Sequence, residues 1–432
     1  MLPPRPDFAR PDSARPDSRG RDGTVNSVSM PDHRPRVALL GSGELGAEQV
    51  AAFTRLGAEV VAVDSRPGGA AARIADAAEV VTLTDPEALT ALLRRVAPGY
   101  VVSATDAVAA GALAAFEDDG ATVAPSARNV RLALDREGLR RLAADELGLP
   151  TVPFWFAASA TELAAIAEHA GFPMVVKPLV ALPGEGQSVL LRPGDVEPAW
   201  QRAVSVAGRI THQRVLAEAV VEIDYELTLL TVRGADATMS FCEPIGHRQL
   251  DGFAGSAVTE SWQPQPMSQV ALESARSIAA RIVNALGGRG LFGVELLVSG
   301  DEVYFSDVTG WPTEAGLLTL ASQRLNVFDL HARAVLGLPH DTIMVSPSAA
   351  ELTYGGADAA RPGIDALAMA LQVPETDVRV FTGSGRAAQR RLELTLATAP
   401  EVAEARDRVR RASSALRANA GGRSGKPDER EH

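Results

Sequence analysis

Residues 36–46 read Arg-Val-Ala-Leu-Leu-Gly-Ser-Gly-Glu-Leu-Gly, an apolar β-type run that feeds a glycine turn opening a helix. Gly41, Gly43 and Gly46 fit the spacing G-x-G-x-x-G, in which glycines permit a tight turn, close backbone approach to a ligand and close packing of helix on strand. A second apolar run, 59–63, ends in Asp64, where a dinucleotide-binding domain keeps the acid for its ribose. On these residues alone a nicotinamide enzyme and some other phosphate or substrate cradle are both open. Further strand-like runs at 79–83 and 100–102, separated by Ala/Leu-rich helical stretches, predict a doubly wound parallel sheet over 34–146.

The chain has 432 residues, which at about 100 to 200 residues per domain implies two or three domains. Its net charge of −12 gives no electrostatic footprint for nucleic acid or an anionic membrane, so a small-molecule partner is expected. The one cysteine, Cys242, excludes an intramolecular disulfide and a Cys-cluster metal site, and reads as a buried structural thiol. No apolar run approaches the roughly 20 residues that span a bilayer, and the N-terminus lacks a hydrophobic signal core, so a cytoplasmic protein is expected. Residues 1–33 are rich in Pro, Asp, Arg and Ser and are expected to be disordered. Met30 stands just before the first strand, which leaves translation from Met1 or from Met30 open.

An amphipathic helix over 135–143 ends near Gly148-Leu149-Pro150, where a domain boundary is expected. A small unit follows over 147–216: an extended run at 151–156, a helix over 160–170, an apolar strand ending in Lys177, a glycine loop over 183–188 and a strand at 189–191. A larger unit, 217–346, carries strands at 225–233, 291–298 and 302–308 and a long helix over 268–286. Residues 347–417 read as a smaller closing module, and 418–432 as a disordered tail.

Four local signals stand in a fixed order. Lys177 ends a buried strand, where a cation either snorkels to water or meets an anion such as a nucleotide phosphate. The loop Gly184-Glu185-Gly186-Gln187-Ser188 reads as an ordinary hairpin turn or as a fold of N–H groups over phosphates. The run Leu216 to Val221, followed by Glu226, reads as a half-buried strand or as a hinge whose backbone meets an adenine edge while Glu226 takes ribose hydroxyls. Glu295 and Asp307 each sit among apolar residues on neighbouring strands about a dozen residues apart. Two such acids either pair with Arg289 or Arg324, or form a Mg²⁺ clamp across the β- and γ-phosphates of ATP.

This order of lysine, glycine loop, hinge glutamate and paired acids resembles the ATP-grasp superfamily. The stretches 41–46, 135–143, Gly246-His247-Arg248-Gln249, Glu260-Ser261-Trp262-Gln263-Pro264-Gln265 and 291–296 are similar to the formate-dependent phosphoribosylglycinamide formyltransferase family, and the likeness runs from about 35 to 417. The resemblance implies an α/β and α+β chain: an N-terminal doubly wound sheet domain, a two-part ATP-grasp module and a small C-terminal closing module. It also implies ATP and Mg²⁺ as cofactors, formate and glycinamide ribonucleotide as substrates, and a homodimer. It turns the N-terminal glycine turn from a dinucleotide site into a substrate site. Carried over by position, Arg136, Lys177, Gly184 to Ser188, Glu218, Ala219, Val220, Val221 and Glu226 bind ATP, and Glu295 and Asp307 hold Mg²⁺. Glu44, Leu45, Asp106, Glu314, Arg390 and Arg391 meet the ribonucleotide. No catalytic group is assigned.

Several positions depart from the family pattern. The metal acid Asp307 replaces a glutamate, and Trp311 stands where an arginine is usual. Glu314 replaces an aspartate, Ala104-Thr105-Asp106 keeps one acid of a Glu-x-Glu pair, and Gly383 stands near an expected lysine, with Arg386 a substitute. Arg390-Arg391-Leu392-Glu393 replaces Arg-Arg-Leu-Gly, and the segment between Gln249 and Glu260 is longer than usual. An ATP-dependent ligase for another carboxylate and amine, and a nucleotide-binding paralogue with little turnover, are the alternatives these departures leave open.

Overall fold

The glycine turn lies at the carboxyl edge of a parallel sheet. The computed structural model describes residues 34–179, 186–205, 214–251, 257–356, 361–382 and 390–420, and from Pro35 onward they belong to one compact unit. The leader 1–33, loop residues Gly184 and Glu185, Gly383, Arg386 and residues 421–432 lie outside the described residues. Strands β1 (Arg36–Leu40), β2 (Glu59–Asp64), β3 (Ala77–Val80), β4 (Tyr100–Ser103) and β5 (Thr122–Ala124) align in parallel in the order β3-β2-β1-β4-β5. Helices α1 (Glu44–Arg55), α2 (Pro86–Val96), α3 (Ala110–Asp118), α4 (Ala127–Leu134) and α5 (Arg136–Arg141) accompany it. Val37, Ala38, Leu39 and Leu40 are all buried, as a strand covered on both faces requires. β3 begins and ends earlier than the run at 79–83 because it is an edge strand of mostly exposed residues, and Val81 only reaches back to the Asp64 carbonyl.

Gly41 has φ +107°, a conformation open in practice only to glycine, and its N–H donates to the Val63 carbonyl at 2.8 Å. A Cβ on Gly46 would come within 2.5 Å of the Gly41 carbonyl oxygen, so α1 packs on the turn with no room for a side chain.

A four-stranded antiparallel sheet follows, in the order β6-β9-β7-β8: β6 (Phe154–Ala157), β7 (Met174–Pro178), β8 (Ser188–Leu190) and β9 (Val215–Ala219). Helices α6 (Ala160–Ala170) and α7 (Val196–Ser205) cover it through a core that includes Leu163, Met174, Val176 and Ala203.

The third sheet of the described residues has nine strands. β10 (Tyr225–Arg233), β11 (Met239–Phe241), β12 (Ile245–Asp251), β13 (Ala257–Gln263), β14 (Gly290–Ser299) and β15 (Glu302–Thr309) make one arm. β16 (Ser348–Gly355), β17 (Thr376–Val380) and β18 (Arg390–Thr398) continue it through the β13 to β16 pairing. Helix α8 (Gln269–Leu286) buries Ile278, Ile282 and Val283 against Val294, Leu296, Phe305 and Val308 of β14 and β15. Helices α9 (Thr319–Ser322), α10 (Val327–Leu336), α11 (Ile364–Ala370) and α12 (Val402–Ala420) complete the described chain.

Two register shifts interrupt this sheet. Leu296 opposes Phe305, but Glu295 opposes Asp307, so Ser306 is the extra residue of a bulge. Likewise Thr353 opposes Glu393 while Tyr354 opposes Arg391, leaving Leu392 unpaired.

The turn geometry yields a prediction. Gly46→Ala should destabilise the protein by about 1–3 kcal/mol, the cost of forcing a methyl against fixed backbone. The check is the urea unfolding midpoint, and an unchanged midpoint would show that α1 can shift away from the turn.

Candidate active site

β14 and β15 are joined by the two-residue turn Gly300-Asp301, with Gly300 at φ +58°. The bulge past that turn sets the Glu295 and Asp307 side chains on one face as register partners, and Thr228 of β10 opposes Glu295 from the other side. Glu226, two residues before Thr228, shares this face. Neither acid takes the arginine partners that the sequence allowed: Arg289 donates to Thr122 Oγ1 and Arg324 pairs with Asp341. Solvent reaches Glu295 along the open face, yet the protein around it strips away enough water for burial to be the leading cause of a pKa pushed up to about 7. The charges of Asp307 and Glu226 add to that rise, and those of Arg136 and Lys177 oppose it. These five candidate residues therefore converge.

Such a group of carboxylates suits a divalent cation: hard oxygen donors, mutual repulsion and room for further oxygen ligands. Among the described residues no cluster of three or more His, Cys, Asp or Glu is spaced to hold a metal alone. A cation here takes its remaining oxygens from water or from a bound phosphate. His247 of β12 meets Thr228 Oγ1 through Nε2 at 2.8 Å, and burial pushes its pKa down to about 4, so it is a neutral ring beside the acids.

Lys177, at the end of β7, extends its Nζ to Glu218 Oε2 at 2.6 Å, and the other Glu218 oxygen accepts from Arg140 Nη2 at 2.6 Å. The pairing follows from register: Val175 opposes Glu218, so Lys177 is the diagonal neighbour on the same face. Sequence reasoning missed Arg140, although it stands one helical turn after Arg136. Ala219 ends β9, Val220 is exposed and its N–H reaches the Pro173 carbonyl, and Val221 leads toward β10. Of the glycine loop, Gly186 has φ +71°, Gln187 is exposed and the buried Ser188 Oγ accepts from Arg202 at 3.1 Å.

The substrate candidates gather at the first sheet's carboxyl edge. Glu44 is the first residue of α1, and Leu45 packs against the core beneath it. Arg391 donates through Nε and Nη2 to Glu314 Oε1, at 2.9 and 2.5 Å, and through Nη1 to Glu44 at 3.4 Å. Its guanidinium also lies 6.0 Å from the Phe381 ring centroid. Arg390 precedes it on β18, opposite Gly355. Asp106 follows β4, and just past that strand the Ala104 N–H donates to the Leu40 carbonyl beside Gly41. Trp311 is half-buried, between Asp307 and Glu314 in the chain. Asp64 is tied to the turn: its oxygens accept from the Ser42 N–H at 2.6 Å and the Arg66 N–H at 3.2 Å. A carboxylate engaged in this way holds the glycine turn, which weighs against the dinucleotide alternative.

A family model for the ATP-grasp domain matches residues 142–328. The formate-dependent phosphoribosylglycinamide formyltransferase of Burkholderia mallei (strain SAVP1) is 50% identical over 388 residues, which covers 88% of this chain and 95% of the relative. Its counterpart in Rhodococcus jostii (strain RHA1) is 49% identical over 384 residues, covering 88% and 94%. The solved glycinamide-RNase-transformylase T of Mycobacterium tuberculosis superposes with a TM-score of 0.76 at 50% identity, covering 88% of this chain and 99% of that one.

The raised Glu295 pKa carries a signed prediction. The unfolded chain releases this proton near 4.5 and the folded protein near 7. The Glu295 contribution to stability is therefore present at low pH and is lost as pH rises across that interval. Chemical denaturation at a series of pH values across the window should show this slope flattened in Glu295→Gln. Identical slopes in both proteins would rule the shift out.

Proposed function

The chain belongs to the formate-dependent phosphoribosylglycinamide formyltransferase family, and from that membership we propose that it makes N-formylglycinamide ribonucleotide in purine (IMP) biosynthesis, using ATP and formate. A formate oxygen attacks the γ-phosphorus, the bond to the β-phosphate oxygen breaks, and ADP leaves. The glycinamide amine then attacks the carbonyl carbon of formyl phosphate, inorganic phosphate departs and the amine gives up a proton.

The roles follow the side chains. Arg136 and Lys177 offer cationic donors to phosphate oxygens, together with the loop Gly184 to Ser188. The backbone of Glu218 to Val221 receives the adenine edge, and Glu226 takes the ribose hydroxyls. Glu295 and Asp307 hold Mg²⁺, which when bound offsets the charge on the β- and γ-phosphates. Arg390 and Arg391 take the ribonucleotide phosphate by charge-assisted bonds, and Glu44, Leu45, Asp106 and Glu314 position the rest of the molecule. As part of this proposal, the chain divides into a substrate domain (34–146), a lid (147–216), a large subdomain (217–346) and a closing module (347–417). A cytoplasmic homodimer is the setting that goes with it. Among the described residues no helix is long and apolar enough to cross a membrane.

The observation that carries this reading is the acid pair on one face of β14 and β15, with Arg136 and Lys177 close enough to act on Glu295. Trp311 favours one competitor, an ATP-dependent ligation of another carboxylate, because an indole cannot neutralise an acyl phosphate as a guanidinium can.

The test is ADP release with Mg-ATP, formate and glycinamide ribonucleotide, each omitted in turn. We expect turnover only with all three and the N-formyl compound as product. Asp307→Asn is expected to lower kcat by about 10²- to 10³-fold, the scale seen when a charge-stabilising group is removed. A native protein that binds ATP but turns over only as Trp311→Arg, or only with another carboxylate, would replace this reading with the competitor.

A further inference from the structure

Arg140 is 6% exposed and Glu218 4%, so both charges have left bulk water. A carboxylate in that position is costly unless both oxygens are engaged. Here Arg140 Nη2 holds Oε1 and Lys177 Nζ holds Oε2, each at 2.6 Å. The second arm of the same guanidinium, Nη1, donates to the Phe305 carbonyl at 3.3 Å, and the group lies 6.0 Å from the Phe154 ring centroid. Phe154 opposes Glu218 across β6 and β9, which places the guanidinium over one face of the four-stranded sheet. Phe305 belongs to β15, two residues before Asp307 and on the near side of the bulge.

One side chain thus joins three elements: α5, the sheet that carries Lys177 and the strand that carries Asp307. The rigid fork of arginine can reach a carboxylate and a carbonyl together, which the single ammonium of lysine cannot do in the same geometry. Salt bridging alone would not need the bond to Phe305.

We propose that Arg140 is a positioning residue for the nucleotide site: it turns one Glu218 oxygen toward Lys177 and fixes that lysine relative to the strand bearing Asp307. The inference rests on the nucleotide-binding reading above and extends it to a residue that lies outside that set. Without this hold, the sheet that carries Lys177 and Glu218 would lose the side-chain bond that joins it to β15, and the γ-phosphate would lose a cation at a fixed place.

The experiment is a double-mutant cycle in Mg-ATP affinity, read by isothermal titration with the full-length protein. Arg140→Lys keeps a charge beside Glu218 and gives up the Phe305 bond, so it carries the test even where Arg140→Met fails to fold. It should weaken Mg-ATP binding about 10-fold and leave the KM for glycinamide ribonucleotide within about twofold, whereas general loosening would shift both. In a Lys177→Met background, adding Arg140→Lys should change the affinity by less than about twofold, because the effect travels through Lys177. Additive losses, or equal changes in both KM values, would overturn the inference and leave the proposed function standing. A native protein that binds Mg-ATP yet forms no formyl product would overturn the function while the cycle still reads. A native protein that binds no nucleotide would overturn both.

Discussion

An antiparallel strand offers only alternate residues to each face, and the candidate site needs two side chains that strict alternation would send elsewhere. On β15, Val303 and Phe305 face the core under α8, and an unbroken register would send Asp307 in after them. An unpaired carboxylate there would cost several kcal/mol. The bulge at Ser306 puts Val308 into that core instead and turns Asp307 to the side of Glu295. On β18 the same device acts with the opposite starting material. Leu394 and Leu396 face the core shared with the first sheet, and Leu392 would continue the row. The bulge at Leu392 brings Arg391 opposite Tyr354, on the face where Glu44 and Glu314 stand. Both shifts spend a ladder position to aim one charged group.

The two aimed charges meet unlike surroundings. Asp307 joins Glu295 and Glu226, so three carboxylates outnumber Arg136 and Lys177 there, an arrangement that suits a cation. Arg391 instead meets two internal carboxylates, so any anion that comes to it competes with Glu314 and Glu44. Burial and opposed charges act on both ends, but the acid cluster raises the pKa of its member while the Glu314 and Glu44 charges hold Arg391 in its charged form. Binding at the first end relieves repulsion. At the second it exchanges one ion pair for another, which makes for discrimination more than for gross affinity.

Much of this was legible in the sequence where chemistry and local pattern coincide. The glycine turn, the helix over 268–286 and the acids about a dozen residues apart each announce themselves within a short window. The bulges do not, because an extra residue leaves no mark on composition and the acids were placed by their spacing alone. Arg140 was hidden for another reason. In an arginine-rich amphipathic helix nothing local separates the arginine that will be buried from those facing water, since its partners Glu218 and Phe305 lie far along the chain. β12 and β13 escaped notice because charged residues interrupt their apolar pattern. Glu260 of β13 is fully buried, and it is matched by Arg248 of the neighbouring strand and by Arg406 and Arg410 of α12. No window of local sequence contains that match.

The dinucleotide alternative shows where motif reading reaches its limit. G-x-G-x-x-G followed by a strand-end acid specifies a backbone path: a positive φ at Gly41, contact between α1 and the turn at Gly46, and an acid near the turn's amides. The identity of the ligand is not part of that specification. Asp64 accepts the Ser42 N–H on one oxygen and the Arg66 N–H on the other, so it already serves the backbone of the turn. Ser42 in turn accepts the Ala72 N–H on its hydroxyl and the Ala71 N–H on its carbonyl. The acid thus belongs to the framework of the turn, and the charged side chains beside the turn include Glu44 and the Arg391 that β18 sends across to it. That arginine arrives from a strand more than three hundred residues later, turned to this face by the bulge that leaves Leu392 out of the pairing with β16.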